Sequence, residues 1–151
     1  MANLASEIDL LKNYGFSKVG QWEAPSDEKD KLMPVISQFK NDRVIYAFVE
    51  NNMVRYVGIV KSDKSSLQQR LNEYRTPYTN GKGSTNANVG VKILESLRKG
   101  NRIEIFALKP ETKTGNSLYS DLKVDLVAGL ESSLIEKFGL TNPEKGWNKS
   151  S

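Results

Sequence analysis

Hydrophobic positions along this chain follow two periods, and the switches between them mark out its elements. Arg43 to Glu50 (RVIYAFVE) and Val54 to Lys61 (VRYVGIVK) are rich in β-branched and aromatic residues and flank Asn51-Asn52, the pattern of a β-hairpin. Arg102 to Lys109 (RIEIFALK) alternates Ile103, Ile105 and Ala107 against Glu104, Phe106 and Leu108, a third strand stopped by Pro110. Between hairpin and third strand the spacing changes to steps of three and four. Lys64 to Tyr74 sets Leu67, Leu71 and Tyr74 on one helical face, with Ser65 or Ser66 as N-cap. Val89 to Lys99 reads as a second helix closed by Gly100. Arg75 to Asn88 (RTPYTNGKGSTNAN) between them carries Pro, Gly and hydroxyl residues and reads as a long exposed loop. After a turn-like Glu111 to Asn116, Tyr119 to Phe138 reads as a long helix, and the tail from Asn142 is irregular.

Ahead of the hairpin the signals are shorter. Ala5 to Tyr14 reads as a small amphipathic helix begun by Ser6 and ended by Gly15, and Phe16 to Glu23 as a short strand with Phe16, Val19 and Trp22 near the core edge. Ala24 to Lys31 is a charged, exposed connection, and Leu32 to Phe39 reads as a short helix beginning near Pro34. The expected fold is α+β: a three-stranded, mainly antiparallel sheet flanked by helices, hairpin first and third strand after two helices. Residues 1–42 are expected as an N-terminal extension packed on a core of 43–151, compact as one domain overall.

Composition narrows the chemistry more than the class. The 151 residues are 38% hydrophobic and 26% charged, which suits a folded globular chain. No apolar run is long enough to span a bilayer and Met1 to Tyr14 lacks the layout of a signal peptide, so a cytoplasmic protein with no membrane partner is expected. There is no cysteine and no histidine, which excludes disulfides, thiolate sites, histidine-ligated zinc and the imidazole base of Ser-His-Asp chemistry. Acid–base work must fall to carboxylates, lysine or tyrosine, and a metal would sit among oxygen ligands, favouring Mg2+ or Mn2+. A net charge of +4 is compatible with a polyanionic partner and equally with many ordinary proteins.

Three sets of polar residues sit where packing alone would not have put them. Glu131 falls inside a stripe of Val124, Val127, Leu134 and Phe138, where a carboxylate is costly unless paired or holding a metal. An edge glutamate that reaches solvent or an arginine is the commoner explanation of such a residue. Arg70 shares a helix face with Leu67, Leu71 and Tyr74, where a snorkelling arginine is the default. Tyr46 and Tyr56 lie in the two hairpin strands, where tyrosines ordinarily only pack.

Taken in order, these positions resemble the GIY-YIG nuclease family. Val44-Ile45-Tyr46 is similar to its first tyrosine motif and Tyr56-Val57-Gly58 to its second; Arg70 corresponds to its helix arginine, Tyr74 to a position often held by histidine, and Glu131 to its metal ligand. Trp147-Asn148 resembles the terminal Trp-Asn of some restriction-enzyme members. The likeness covers roughly Arg43 to Asn148, with Val44 in place of the first glycine and a longer segment between Gly58 and Arg70. What it implies is a metal-dependent endonuclease cutting DNA phosphodiester bonds, restriction-like on double-stranded DNA and possible as a homodimer. Glu131 would hold Mg2+ or Mn2+, and Tyr46 would take a proton from water with its phenol pKa lowered by nearby cations. Arg70 and a lysine would neutralise the phosphate; Lys61, which directly follows the second motif, is preferred over Lys64. Tyr56 would orient water or phosphate, with Tyr74 and Asn148 completing the catalytic set.

The long loop around Lys82, with Arg75 and Asn86, reads either as a DNA-contacting loop or as a disordered insertion. A non-cleaving nucleic-acid-binding module on the same scaffold, a repair or mobile-element nuclease, and an interaction protein of unrelated α+β fold are the competing readings. The hairpin register separates some of them. Both phenols can serve one phosphate only from the same face, which requires Tyr46 opposite Gly58 and Phe48 opposite Tyr56. The expectation is therefore an odd-length loop centred on Asn52 in place of a two-residue Asn51-Asn52 turn, with Gly58 leaving room for water or phosphate to reach Tyr46.

Overall fold

The structure is a computed structural model that describes residues 6–24, 32–40, 42–60, 65–75, 85–109, 113–114, 123–124 and 126–149, with backbone only at 85–87, 113–114, 123–124 and 126–128. In chain order the elements are α1 (Glu7–Asn13), β1 (Ser17–Glu23), β2 (Met33–Ile36), β3 (Ile45–Glu50), β4 (Met53–Ile59), α2 (Leu67–Asn72), α3 (Thr85–Arg98), β5 (Ile103–Leu108), β6 (Lys113–Thr114), β7 (Lys123–Val124) and α4 (Leu126–Phe138).

The sheet has five strands, not three. Its order is β2-β1-β5-β3-β4 and every pairing is antiparallel. The N-terminal segment thus supplies two strands of the same sheet. Leu32 to Phe39, expected as a short helix, contains β2: Pro34 pairs with Trp22 on an outer strand, where a residue without an N–H is tolerated. The long helix expected from Tyr119 begins at Leu126, behind the small β6–β7 ladder. The helix expected from Val89 begins at Thr85, inside the stretch read as loop.

One face of the sheet packs Val44, Tyr46, Phe48, Tyr56 and Val60 with Leu67, Leu71 and Tyr74 around α2 and with Val89, Ile93 and Leu94 of α3. The other face packs Ile45, Ala47, Val49, Val57 and Phe106 against Leu11 of α1 and Leu134 and Phe138 of α4. Covered on both sides, β3 is buried from Ile45 to Val49, which explains its unbroken apolar run. Glu104 of β5 tolerates burial because Lys18 and Arg102 reach it at 3.0 and 3.3 Å.

The hairpin register is Tyr46 opposite Gly58 and Phe48 opposite Tyr56, as expected, but the loop is not the expected one. Glu50 pairs with Met53 across a two-residue turn in which Asn51 and Asn52 both take positive φ (45° and 73°), the geometry whose twist matches paired strands. The odd residue lies within β4: Val49 pairs with Val54 and Phe48 with Tyr56, leaving Arg55 as a bulge. The bulge turns a register that would have put the phenols on opposite faces into one that puts them together.

Candidate active site

Tyr46 projects from β3, Tyr56 from β4, and Tyr74 stands one residue beyond the Glu73 C-cap of α2. Helix α2 is set over the hairpin by its first turn: Ser66 caps Gln69 N, and the N–H groups of Leu67 and Gln68 donate to the carbonyls of Asp42 and Lys40. The result is a chain of three phenols. The Tyr46 and Tyr74 hydroxyl oxygens lie 2.7 Å apart, and Tyr74 Oη donates to Tyr56 Oη at 3.2 Å. Tyr46 and Tyr74 have no exposed surface and Tyr56 has 5%, so Tyr56 is the end of the chain nearest solvent. Trp22 and Phe48 stand edge-on to the Tyr74 ring at 6.3 and 5.6 Å and fix its plane.

Arg70 places its guanidinium carbon 4.9 Å from the Tyr74 ring centroid and forms an ion pair with Glu73, one helical turn on. Glu73 is the neighbour that sequence reasoning missed, although its i, i+3 spacing from Arg70 was visible. Burial disfavours the guanidinium charge, but the three phenols and Glu73 outweigh it and keep Arg70 firmly protonated.

The phenols contradict one expectation. Tyr46 was expected below its ordinary value; burial instead pushes it far above, the Tyr56 charge adds to this, and Arg70 and the Tyr74 hydrogen bond only partly oppose it. Burial likewise raises Tyr74 and Tyr56. For Tyr56, the Tyr74 hydrogen bond and Arg70 pull down, while Glu131 and Glu73 push up. Glu131 lies on α4, which packs on the other sheet face, and acts on Tyr56 only through its charge. Glu131 itself is half-buried, beside the partly buried Leu130.

Gly58 also acts differently from the expectation of an open approach to Tyr46. The Tyr46 ring lies directly across it, and a Cβ at position 58 would stand 2.5 Å from both Cζ and Oη of Tyr46. The missing side chain is the space the ring occupies.

Asn148 does not touch the phenols in the contacts seen. Its Oδ1 accepts from Val57 N at 3.0 Å and its Nδ2 donates to Val57 O at 2.9 Å, a side-chain imitation of strand pairing along the outer edge of β4. Trp147 N donates to Arg55 O, Lys145 Nζ donates to Val54 O, and Glu7 accepts from Val54 N along the same edge. Asn148 therefore positions the strand that carries Tyr56 and Gly58. Asn148→Ala should cost roughly 1–3 kcal/mol, read as a lower urea midpoint.

Of the residues expected to meet DNA, Arg75 donates to Leu32 O at 3.0 Å and contacts Met33 Sδ, tying β2 to the end of α2. Asn86 lies in the first turn of α3, its side chain outside the described atoms; Lys61, Lys64 and Lys82 lie outside the described residues. Among the described residues no group of three or more acidic side chains comes together, and no helix is long and apolar enough to cross a membrane.

Two solved structures share this architecture. A mutant form of bacteriophage T4 EndoII aligns with a TM-score of 0.69 at 21% identity, over 89% of this chain and 96% of that one. The chain shares the fold of that protein. Restriction endonuclease Hpy188I, solved in complex with product DNA, aligns with a TM-score of 0.54 at 19% identity, over 95% of this chain and 84% of that one. No family model matches the chain, and no curated protein matches it. At this identity the likeness speaks for the fold.

Proposed function

We propose that this protein is a metal-dependent DNA endonuclease of the GIY-YIG type, restriction-like and acting on double-stranded DNA, with a homodimer as the form that would cut both strands. The observation that carries this reading is the hydrogen-bonded chain Tyr46–Tyr74–Tyr56 beside the Arg70 guanidinium, held by a fold that two endonucleases share. Packing alone has no use for three phenol oxygens brought together inside a core, since each is a polar group withdrawn from water.

Phosphodiester hydrolysis needs a base for water and positive charge on the phosphate. Tyr56, at the solvent end of the chain, is the phenol placed to meet water. Tyr74 can donate its single proton to Tyr46 or to Tyr56, so whichever phenol loses its proton gains a hydrogen bond. Arg70 supplies the fixed cation, and a phosphate would compete with Glu73 for it. Glu131 suits a Mg2+ ion as donor, because magnesium often takes only one or two protein carboxylates and completes its octahedron with water and phosphate. Such an ion would supply Lewis-acid stabilisation of the developing phosphate charge.

The direction of the phenol shifts gives a test. A raised phenol stays neutral at pH values where a free one, at about 10, is half ionised. Absorbance titration of the folded protein should therefore fall short of the denatured protein by about one and a half phenols near that pH, and by close to three about a unit or more above it while the protein stays folded. The unfolded chain then loses protons that the native one keeps, so stability falls as pH rises past about 10 and is unaffected by these groups below it. If phenolate is the base, the logarithm of the nicking rate should climb by about one per pH unit through neutrality, and Tyr46→Phe and Tyr56→Phe should both suppress it strongly. A flat profile, or substantial cleavage by both variants, would remove the phenols from the mechanism. Magnesium-dependent nicking of supercoiled plasmid is the first experiment.

A further inference from the structure

A groove of about 520 Å³ runs between α3 and the C-terminal turns, lined by Asn88, Lys92 and Glu95 on one side and Thr141, Trp147 and Lys149 on the other. Nothing in the proposed chemistry uses it. Its wall is nevertheless continuous with the candidate site, because Asn148 both lines the groove and clamps Val57, the residue between Tyr56 and Gly58. Trp147 rests partly buried against the core cluster that contains the three tyrosines, and is held by its own N–H to Arg55 O. It is thus a braced indole with part of its surface open to the groove.

We propose that this groove binds one nucleotide of a DNA strand, its base stacked on Trp147, next to the phosphodiester presented to the phenol chain. The inference rests on the endonuclease reading for the direction of the strand, while the groove's own chemistry chooses the ligand class. An indole is a stacking surface for any base. Lys92 and Lys149 provide cations for the flanking phosphates. Glu95 can accept from an exocyclic amine, and Asn88 and Thr141 can exchange hydrogen bonds with a base edge. The volume lies within the range of sites that enclose a small ligand. A purely apolar peptide or lipid would leave those charged and amide groups unpaired.

The chain has two tryptophans, and Trp22 is 2% exposed, so a change in indole emission on adding oligonucleotide reports mainly on Trp147. The titration is made without divalent metal, using a short single-stranded oligonucleotide, the same strand with abasic residues, and inorganic phosphate. The expected result is saturable quenching by the base-containing strand alone, a salt slope lower by about one in Lys92→Ala, and, followed by the anisotropy of a dye-labelled strand because the variant lacks the reporting indole, binding weaker by about tenfold in Trp147→Ala. Lys92→Ala keeps the test valid if Trp147→Ala fails to fold. Equal quenching by abasic strand, or by none of the three, overturns the stacking site. A wild-type protein that nicks plasmid with no quenching removes this proposal and leaves the nuclease reading intact. Quenching without nicking removes the nuclease reading and keeps the groove.

Discussion

Glu131→Gln should leave the protein folded and able to bind DNA while plasmid nicking falls by about two orders of magnitude or more. The substitution keeps the shape of the side chain and removes the charge, and a carboxamide is a poor ligand for a hard divalent cation. Because Glu131 is half-buried and not in the fully packed part of α4, the thermal midpoint should hardly move. A second readout separates a metal ligand from a distant surface charge. Glu131 pushes the Tyr56 phenol upward, so its removal should let Tyr56 ionise at lower pH. Cleavage near the wild-type rate with magnesium would end the assignment of Glu131 as the metal donor.

Gly58→Ala should damage both the fold and the chemistry. The added methyl would stand 2.5 Å from the Tyr46 ring and hydroxyl, and Tyr46 is fully buried, so the ring must shift within the core. Overpacking of this kind typically costs about 1–3 kcal/mol. Displacing the ring also breaks the 2.7 Å contact between Tyr46 and Tyr74, on which the phenol chain depends. Denaturant unfolding should show the loss of stability. Nicking under conditions where the variant is still folded should fall further than its folded fraction explains. A Gly58→Ala protein as stable and active as the wild type would mean that the ring does not lie over the glycine in the working enzyme.

Much of the site was legible because it rests on local periods. Leu67, Leu71 and Tyr74 repeat at helical spacing, so the helix bearing Arg70 was readable together with its Ser66 cap. The hairpin was readable from its β-branched and aromatic runs, and the need for two phenols on one face led to the observed Tyr46–Gly58 pairing. The device that sets this register is a bulge at Arg55 and not an odd-length loop, since a bulge depends on cross-strand geometry and leaves no mark in either strand's own alternation.

What the sequence determined by itself is therefore the inventory: no histidine, a tyrosine hairpin, a capped arginine helix, and a glutamate on the last helix. Only the tertiary structure decided how many strands share the sheet, because β1 reaches β5 across more than eighty residues and β2 joins it despite Pro34 at an edge. Only the tertiary structure decided the phenol acidities, because they follow from burial that no single element imposes. Arg75 and Asn148 make the same point, being polar residues of apparently catalytic or DNA-binding type whose hydrogen bonds hold backbone. A side chain's chemistry is written in its identity, but its partners are set by which strands and helices the fold brings within about three ångströms of it.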